Sequence, residues 1–186
     1  MPDSSWKRLS ARTVSDHRIL RLREDLYRFE PADVEREFVV IEAPDWVNVV
    51  ALTDELDVVL IRQFRHGVGC VTLEIPGGVV DEGEEPAECA LRELREETGY
   101  SAGRAEGVGV VWPNPAIQDN SCHVFLARGA RRVGVPRPDP LERIEVVTTP
   151  LARIPALIRE GKIRHALVIA AFGMIDMLGP ARGAQR

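Results

Sequence analysis

The segment from Gly78 to Tyr100, GVVDEGEEPAECALRELREETGY, constrains the fold of this chain more than any other. It holds seven glutamates and one aspartate within 23 residues, against two arginines. Pro86 suits the first turn of a helix, where its missing N–H is not needed. Gly99 suits the position just after the last turn. The segment therefore predicts an acidic loop followed by a helix.

Apolar residues recur along this helix at the spacing of one buried face, namely Ala87, Ala90, Leu91 and Leu94. At about 100° per residue, Glu93, Glu96 and Glu97 share an arc of roughly 100° at the edge of that face. Glu93 and Glu97 are four residues apart, so their like charges repel on a bare helix. Carboxylate oxygens are ligands for a hard cation such as Mg²⁺, which would turn this repulsion into a binding site. A solvated, charged helix face is the common alternative.

The spacing of nine positions favours the metal site. Five residues separate Gly78 from Glu84, and seven separate Glu84 from the run Arg92-Glu93-Leu94-x-Glu96-Glu97-x-Gly99, which Tyr100 follows. This pattern resembles the Nudix box, in which an aliphatic residue is usual where Tyr100 stands. The resemblance implies an α/β fold, the Nudix α/β/α sandwich with a mixed sheet. It also implies hydrolysis of a nucleoside diphosphate linked to another group, with Mg²⁺ or Mn²⁺ as the cofactor.

The resemblance assigns roles to the residues of the box. Glu93 and Glu97 are the first candidates for metal ligands, followed by Glu96 and, by carry-over from the family, the carbonyl of Gly77. Glu96 also belongs to the expected catalytic set, together with Arg92. Because a guanidinium can bind a carboxylate through two hydrogen bonds, Arg92 is expected to hold a further acid such as Glu84.

A base must orient the water that attacks the phosphorus. In the branch of the family that the chain resembles, this base comes from a mobile loop after the later strands. The Arg-, Gly- and Pro-rich segment 128–143 fits such a loop. Its candidates are Asp139, Glu142 and Glu145, of which we favour Glu142, since Glu145 falls in a predicted strand.

Features outside the box point to one branch, the ADP-ribose pyrophosphatases and nucleoside-diphosphate-sugar hydrolases. Arg65 ends a strand before the box and is the expected phosphate contact, since guanidinium matches phosphate oxygens. Glu74 lies in the run Leu73–Gly77 that leads into the box, and Pro115 lies fifteen residues beyond Tyr100. Both are expected at the substrate site. The loop around Pro115 departs from the pattern of the branch at Ala116, Gln118 and Asn120.

Two other functions are compatible with a Nudix box. One is hydrolysis of nucleoside triphosphates or dinucleoside polyphosphates, against which the long N-terminal segment and Pro115 argue. The other is a noncatalytic regulator that binds ADP-ribose, against which the intact set of box glutamates argues.

The remaining sequence predicts an N-terminal arm of strands over 1–45 and a Nudix hydrolase domain over 46–186. Arm strands are expected at Ile19–Leu22, Leu26–Phe29 and Glu37–Ile41. Domain strands are expected at Val47–Leu52, Val58–Arg62, Val71–Ile75, Val108–Trp112, His123–Ala127 and Glu145–Val147, with later helices at Pro155–Glu160 and Ile163–Leu178. Family members of this branch typically dimerise through such an arm, so we expect a homodimer.

Composition limits the partners and the compartment. The net charge of −5 gives no sign of nucleic-acid binding. No apolar run reaches membrane-spanning length, and no signal peptide opens the chain. Three scattered cysteines without metal-ligand spacing favour reduced thiols and a cytoplasmic protein.

Overall fold

The computed structural model describes residues 5–138 and 142–177, which divide into two compact units. The first unit comprises Met1–Pro44 and Trp112–Ser121, and the second comprises Asp45–Val111 and Cys122–Arg186. The division at Pro44 lies next to the boundary expected from the sequence. The assignment of Trp112–Ser121 to the first unit was not expected, because these residues stand far from the arm in sequence.

The first unit contains an antiparallel sheet of β1 (Trp6–His17), β2 (Leu20–Phe29) and β3 (Val34–Glu42). The sequence missed β1, because most of its residues are polar and almost all are exposed, so that pairing with β2 rather than burial makes it a strand. The expected strands at Ile19–Leu22 and Leu26–Phe29 are one continuous strand, β2. Ile19 itself lies in the turn between β1 and β2.

The segment Trp112–Ser121 is hydrogen bonded alongside β3. The amide of Ile41 donates to the carbonyl of Ile117 at 2.7 Å, and the amide of Asp119 donates to the carbonyl of Ile41 at 3.2 Å. The Arg23 guanidinium joins Glu42 to Asp119, at 2.6 and 3.3 Å. These bonds hold the Pro115 loop to the arm.

The second unit is built around a mixed β-sheet. Its strands in chain order are β4 (Trp46–Leu52), β5 (Asp57–Arg65), β6 (Cys70–Glu74), β7 (Gly77–Val79), β8 (Tyr100–Ser101), β9 (Glu106–Val111), β10 (Cys122–Arg128), β11 (Arg131–Arg132) and β12 (Glu145–Pro150), of which β8 and β11 form a separate pair. Within the described residues the order of the main sheet is β12-β5-β4-β10-β9, with β6 beside β5 and β7 beside β4. β4 and β10 run parallel, and the other pairs run antiparallel.

Helices cover both faces of this sheet. They are α1 (Pro86–Thr98), α2 (Ile154–Arg159) and α3 (Ala166–Met177). Because successive side chains of a strand point to opposite faces, Val49 on β4 packs with Leu94 of α1, whereas its neighbour Val50 packs in the cluster that holds Val168 of α3. The expected α/β/α arrangement with a mixed sheet is therefore confirmed. None of the helices in the described ranges is long and apolar enough to cross a membrane.

The predicted helix bounds hold for α1 but not for α3. α1 begins at Pro86, and Gly99 follows it in the left-handed conformation with φ of 72°. The last helix was expected from Ile163 but begins at Ala166, because Ile163 is buried in the core ahead of the helix. Leu178, the expected last residue, lies outside the described residues.

Residues 131–137, which we name the strap, lie within the segment 128–143 that the sequence predicts to be a mobile loop, and their backbone is hydrogen bonded to the end of α1. Amides of the strap donate to the last turn of α1 and its cap, from Val133 and Gly134 to the Gly99 carbonyl and from Arg137 to the Glu96 carbonyl, at 2.9, 3.2 and 2.6 Å. Composition suggested mobility because it cannot show these long-range backbone bonds.

Gly99→Ala is expected to destabilise the protein by at least about 1 kcal/mol, because a non-glycine residue in the left-handed region costs about 1–2 kcal/mol. A β-carbon there would also stand 2.5 Å from the Gly134 carbonyl oxygen of the strap. Gly103→Ala is the matched control, since a β-carbon at Gly103 meets no atom of the described structure within 4 Å and its φ is not positive. Urea unfolding measures both, and equal midpoints for the two variants would contradict the prediction.

Candidate active site

The guanidinium of Arg92 holds three glutamates of the acidic segment. Its Nε and Nη2 donate to the two oxygens of Glu84 at 2.8 and 2.9 Å, which is the two-pronged pair predicted from the sequence. Its Nη1 donates to Glu93 at 2.8 Å and to Glu96 at 3.1 Å. Hydrogen bonds from Arg92 lower the pKa of Glu84 to about 2, so this carboxylate is charged throughout the physiological range. Arg92 therefore ties the acidic loop to the helix.

Glu97 lies deepest of the box acids, with only 4% of its surface exposed. One of its oxygens accepts the amide hydrogen of Gly77 at 3.0 Å, which joins the helix to β7. Burial raises the pKa of Glu97 to about 8, and the charges of Glu93 and Glu142 add to the rise. A buried carboxylate that resists ionisation in this way is a strong ligand for a cation that replaces its proton.

Glu93 lies against the backbone of Gly78. A β-carbon at Gly78 would overlap the Glu93 carboxylate, so only glycine leaves room for that acid. Burial raises the pKa of Glu93 as well, although Arg92 opposes the rise. The first glycine of the acidic segment thus has a steric role in the site.

The oxygens of Glu93, Glu96 and Glu97 suit a divalent metal in their chemistry, since hard cations prefer carboxylate ligands. Within residues 5–138 and 142–177, no group of three His, Cys, Asp or Glu side chains stands close enough to hold a metal ion. Hydrogen bonds from Arg92 and from the Gly77 amide hold these carboxylates where they are. Metal binding would require the glutamates to exchange some of these bonds for metal contacts.

Glu74 is buried, with 2% of its surface exposed, and it is turned toward Arg65. Its two oxygens accept hydrogen bonds from Arg65, the shortest at 2.7 Å, and one also accepts the Thr72 hydroxyl at 2.6 Å. Burial alone would raise the pKa of Glu74, but the bonds from Arg65 and Thr72 lower it below its usual value. This geometry suits Glu74 to position Arg65, whose side chain stays partly exposed.

Thr72 was not predicted to be a residue of the site, although the spacing of residues on β6 could have identified it. Thr72 and Glu74 are two apart on β6, so their side chains point to the same face. Once β6 is placed beside Arg65, this alternation of side chains predicts that Thr72 and Glu74 lie next to each other on the same face.

The two candidates for the base that the structure describes, Glu142 and Glu145, have different surroundings. The charge of Glu142 acts on Glu93, Glu97 and Arg65, raising the pKa of each, which places Glu142 within electrostatic reach of the box. Glu145 instead begins β12 and pairs with Arg62 at 3.2 Å. Asp139 lies outside the described residues.

Pro115 belongs to the first unit, in a turn where the amides of Ile117 and Gln118 donate to the Asn114 carbonyl. Asn120 is buried and donates to the Pro44 carbonyl at 3.1 Å, and Gln118 donates to Asn120 at 3.4 Å. The residues that depart from the family pattern at 118 and 120 therefore anchor the loop.

Comparisons with known proteins agree with this geometry. The model of the NUDIX domain family matches residues 44–172. The ADP-ribose pyrophosphatase of Mycobacterium tuberculosis is 32% identical over 173 residues, which cover 91% of this chain and 83% of that protein. The ADP-ribose pyrophosphatase of Bacillus subtilis is 41% identical over 88 residues, 47% of this chain, and the match spans 48%, about half, of that protein. The crystal structure of an ADP compounds hydrolase shares the fold, with a TM-score of 0.83, 22% identity and coverage of 94% of both chains.

The raised pKa of Glu97 predicts a pH dependence of stability in the metal-free protein. The unfolded chain releases the Glu97 proton near pH 4.5, whereas the folded protein retains it up to about pH 8. The contribution of Glu97 to the free energy of unfolding is therefore fully present below pH 4.5 and is lost as the pH rises to about 8. We expect calorimetry to show a falling Tm across this window.

Glu97→Gln, whose side chain stays uncharged, should reduce the decrease of Tm with pH. Part of the decrease should remain, because the pKa of Glu93 is also raised. Glu84 does not obscure the window, since its pKa of about 2 confines its contribution to more acidic solutions. The same slope in Glu97→Gln and in the unaltered protein would contradict the pKa assigned to Glu97.

Proposed function

The chain belongs to the NUDIX domain family and is a hydrolase, and from that premise we propose that it cleaves the pyrophosphate bond of ADP-ribose or a similar nucleoside diphosphate sugar. Water would add to one phosphorus, and the bridging P–O bond would break, releasing a nucleoside monophosphate and a sugar phosphate. The observation that carries the proposal is the complete set of box carboxylates, held by Arg92 and the Gly77 amide beside an arginine suited to phosphate.

In this proposal the residues of the site have separate roles. Arg65 contacts the diphosphate, and Glu74 with Thr72 keeps its guanidinium oriented. Glu93, Glu97, Glu96 and the Gly77 carbonyl would hold the divalent metal that Nudix hydrolases generally use, for which we propose Mg²⁺ or Mn²⁺. When bound, a divalent metal neutralises negative charge on the phosphate oxygens. Glu142 accepts the proton of the attacking water, since its charge already acts on Glu93 and Glu97.

The substrate class rests on the relatives and on the first unit. Two relatives are named ADP-ribose pyrophosphatases. Pro115, which the resemblance associates with the substrate, lies in a loop that is hydrogen bonded to the arm. The proposal includes a homodimer, because β1 is an edge strand and edge strands offer a pairing surface. It also includes a cytoplasmic location, in keeping with the free cysteines at 70, 89 and 122.

A substrate panel tests the proposed activity. With Mg²⁺ present, we expect release of AMP and ribose 5-phosphate from ADP-ribose, measured by chromatography, and no release after addition of a chelator. The panel also contains a second ADP-sugar, a GDP-sugar, ATP and a dinucleoside polyphosphate. Turnover of ATP or the dinucleoside polyphosphate without turnover of any sugar substrate would show that the proposed substrate class is wrong.

Replacement of the two described candidates for the base tests the role of Glu142. Glu142→Gln is expected to lower kcat by roughly 100- to 10,000-fold, the usual contribution of general acid–base catalysis, with KM little changed. Glu145→Gln is the matched variant, because it removes the same charge three residues away while breaking only an exposed ion pair with Arg62. The reverse order of effects would assign the base to Glu145.

A further inference from the structure

A groove of about 580 Å³ lies between the C-terminal half of α1 and the strap. Leu91, Arg95 and Glu96 line it from the helix, and Val133, Val135 and Arg137 line it from the strap. Glu93, Glu97, Arg65 and Glu142 are not among its lining residues. Glu96 and Arg92 also line it, so the groove adjoins the acidic segment at that edge, and its volume is in the range of small-molecule sites.

The two walls of the groove are fixed by backbone hydrogen bonds. The Arg137 amide donates to the Glu96 carbonyl at 2.6 Å, which places the backbone of Arg137 beside the residue that follows Arg95. The Val133 amide donates to the Gly99 carbonyl at 2.9 Å, and β11 pairs with β8 at the other end of the strap. These bonds join the strap to the end of α1 and thereby hold the two walls of the groove together.

Two cations of the groove have no protein partner. In the part of the chain that the structure describes, the side chains of Arg95 and Arg137 make neither a hydrogen bond nor an ion pair. Arg92, which also lines the groove, is engaged by Glu84, Glu93 and Glu96. Arg95 lies in the last turn of α1, where a cation stabilises the helix dipole, but that explanation does not extend to Arg137.

The lining of the groove contains both charged and apolar side chains. Glu96, a carboxylate in the lining, is bound by Arg92 at 3.1 Å, and the positive charges of Arg95 and Arg137 lie on the same lining. Leu91, Ala102, Val133 and Val135 supply apolar wall beside the two free guanidiniums. A ligand that combines a compact anion with an organic group matches this surface, and guanidinium groups bind phosphate oxygens through paired hydrogen bonds.

We propose that this groove binds a phosphate monoester, with the phosphate between Arg95 and Arg137 and the organic group against Leu91, Val133 and Val135. Nucleoside monophosphates and sugar phosphates share this chemistry. The groove shares Glu96 and Arg92 with the acidic segment, but the residues proposed to bind the phosphate, Arg95 and Arg137, have no part in the proposed hydrolysis.

Two-dimensional ¹H–¹⁵N NMR of the full chain without divalent metal tests the site directly. AMP, ribose 5-phosphate, inorganic phosphate and adenosine are added in separate titrations. We expect saturable shifts of the Val133, Gly134 and Arg137 amides with at least one of the two monoesters, and weaker binding of adenosine. The comparison of AMP with ribose 5-phosphate distinguishes the two sources of the monoester.

The double variant Arg95→Gln/Arg137→Gln is expected to weaken this binding by at least about tenfold, since the charge-assisted hydrogen bonds to the phosphate are lost. Arg128→Gln is the matched control, because Arg128 is exposed at the end of β10 and does not line the groove. A melting curve of each variant confirms that it is folded.

Three results would overturn the proposal: no shift of the strap amides, shifts confined to Gly77 and Gly78, or equal affinity in the double variant and the control. Adenosine binding as tightly as AMP would also overturn it, because the phosphate would then not be recognised. All of these are binding measurements made without turnover, so their failure is distinct from failure of the proposed hydrolysis.

Discussion

The guanidinium of Arg92 is the interaction on which the acidic segment depends. Without it, Glu84, Glu93 and Glu96 would repel one another on one loop and one helix. Arg92 binds all three, so that the loop before α1 and the helix itself take one arrangement. The same contacts restrain two of the proposed metal ligands, which links the stability of the segment to its chemistry.

The central strand β4 connects that segment to the rest of the second unit. Its alternate side chains pack against α1 on one face and in the cluster of α2 and α3 on the other. Its backbone pairs with β7, where Asn48 stands opposite Gly77, the residue whose amide binds Glu97. The pairing of β7 with β4 therefore fixes the position of Gly77 beside α1. The Gly77 amide in turn positions the carboxylate of Glu97.

Sequence reasoning succeeded where the physical cause is local and failed where it is remote. The bounds of α1 follow from Pro86 and Gly99, and the pair of Arg92 with Glu84 follows from charge and spacing. The strand β1 was missed because its polar residues give no burial signal. The sequence predicted a loop for the segment that contains the strap but could not show its hydrogen bonds to the carbonyls of Glu96 and Gly99, more than thirty residues earlier. Glu74 was expected at the substrate site, and the structure adds that its oxygens accept hydrogen bonds from Arg65 and Thr72.

By itself, the sequence determined that this chain carries a Nudix box on a helix within an α/β domain, because fixed spacing of glycine, glutamate and arginine encodes a loop, a helix and its charges. Only the tertiary structure decided which groups meet. It buried Glu97 beside Gly77, brought the charge of Glu142 to the box and left that of Glu145 with Arg62. In the tertiary structure, backbone hydrogen bonds also join the Pro115 loop to the arm and the strap to the end of α1. Burial and long-range contacts set these outcomes, and both depend on residues that are distant along the chain.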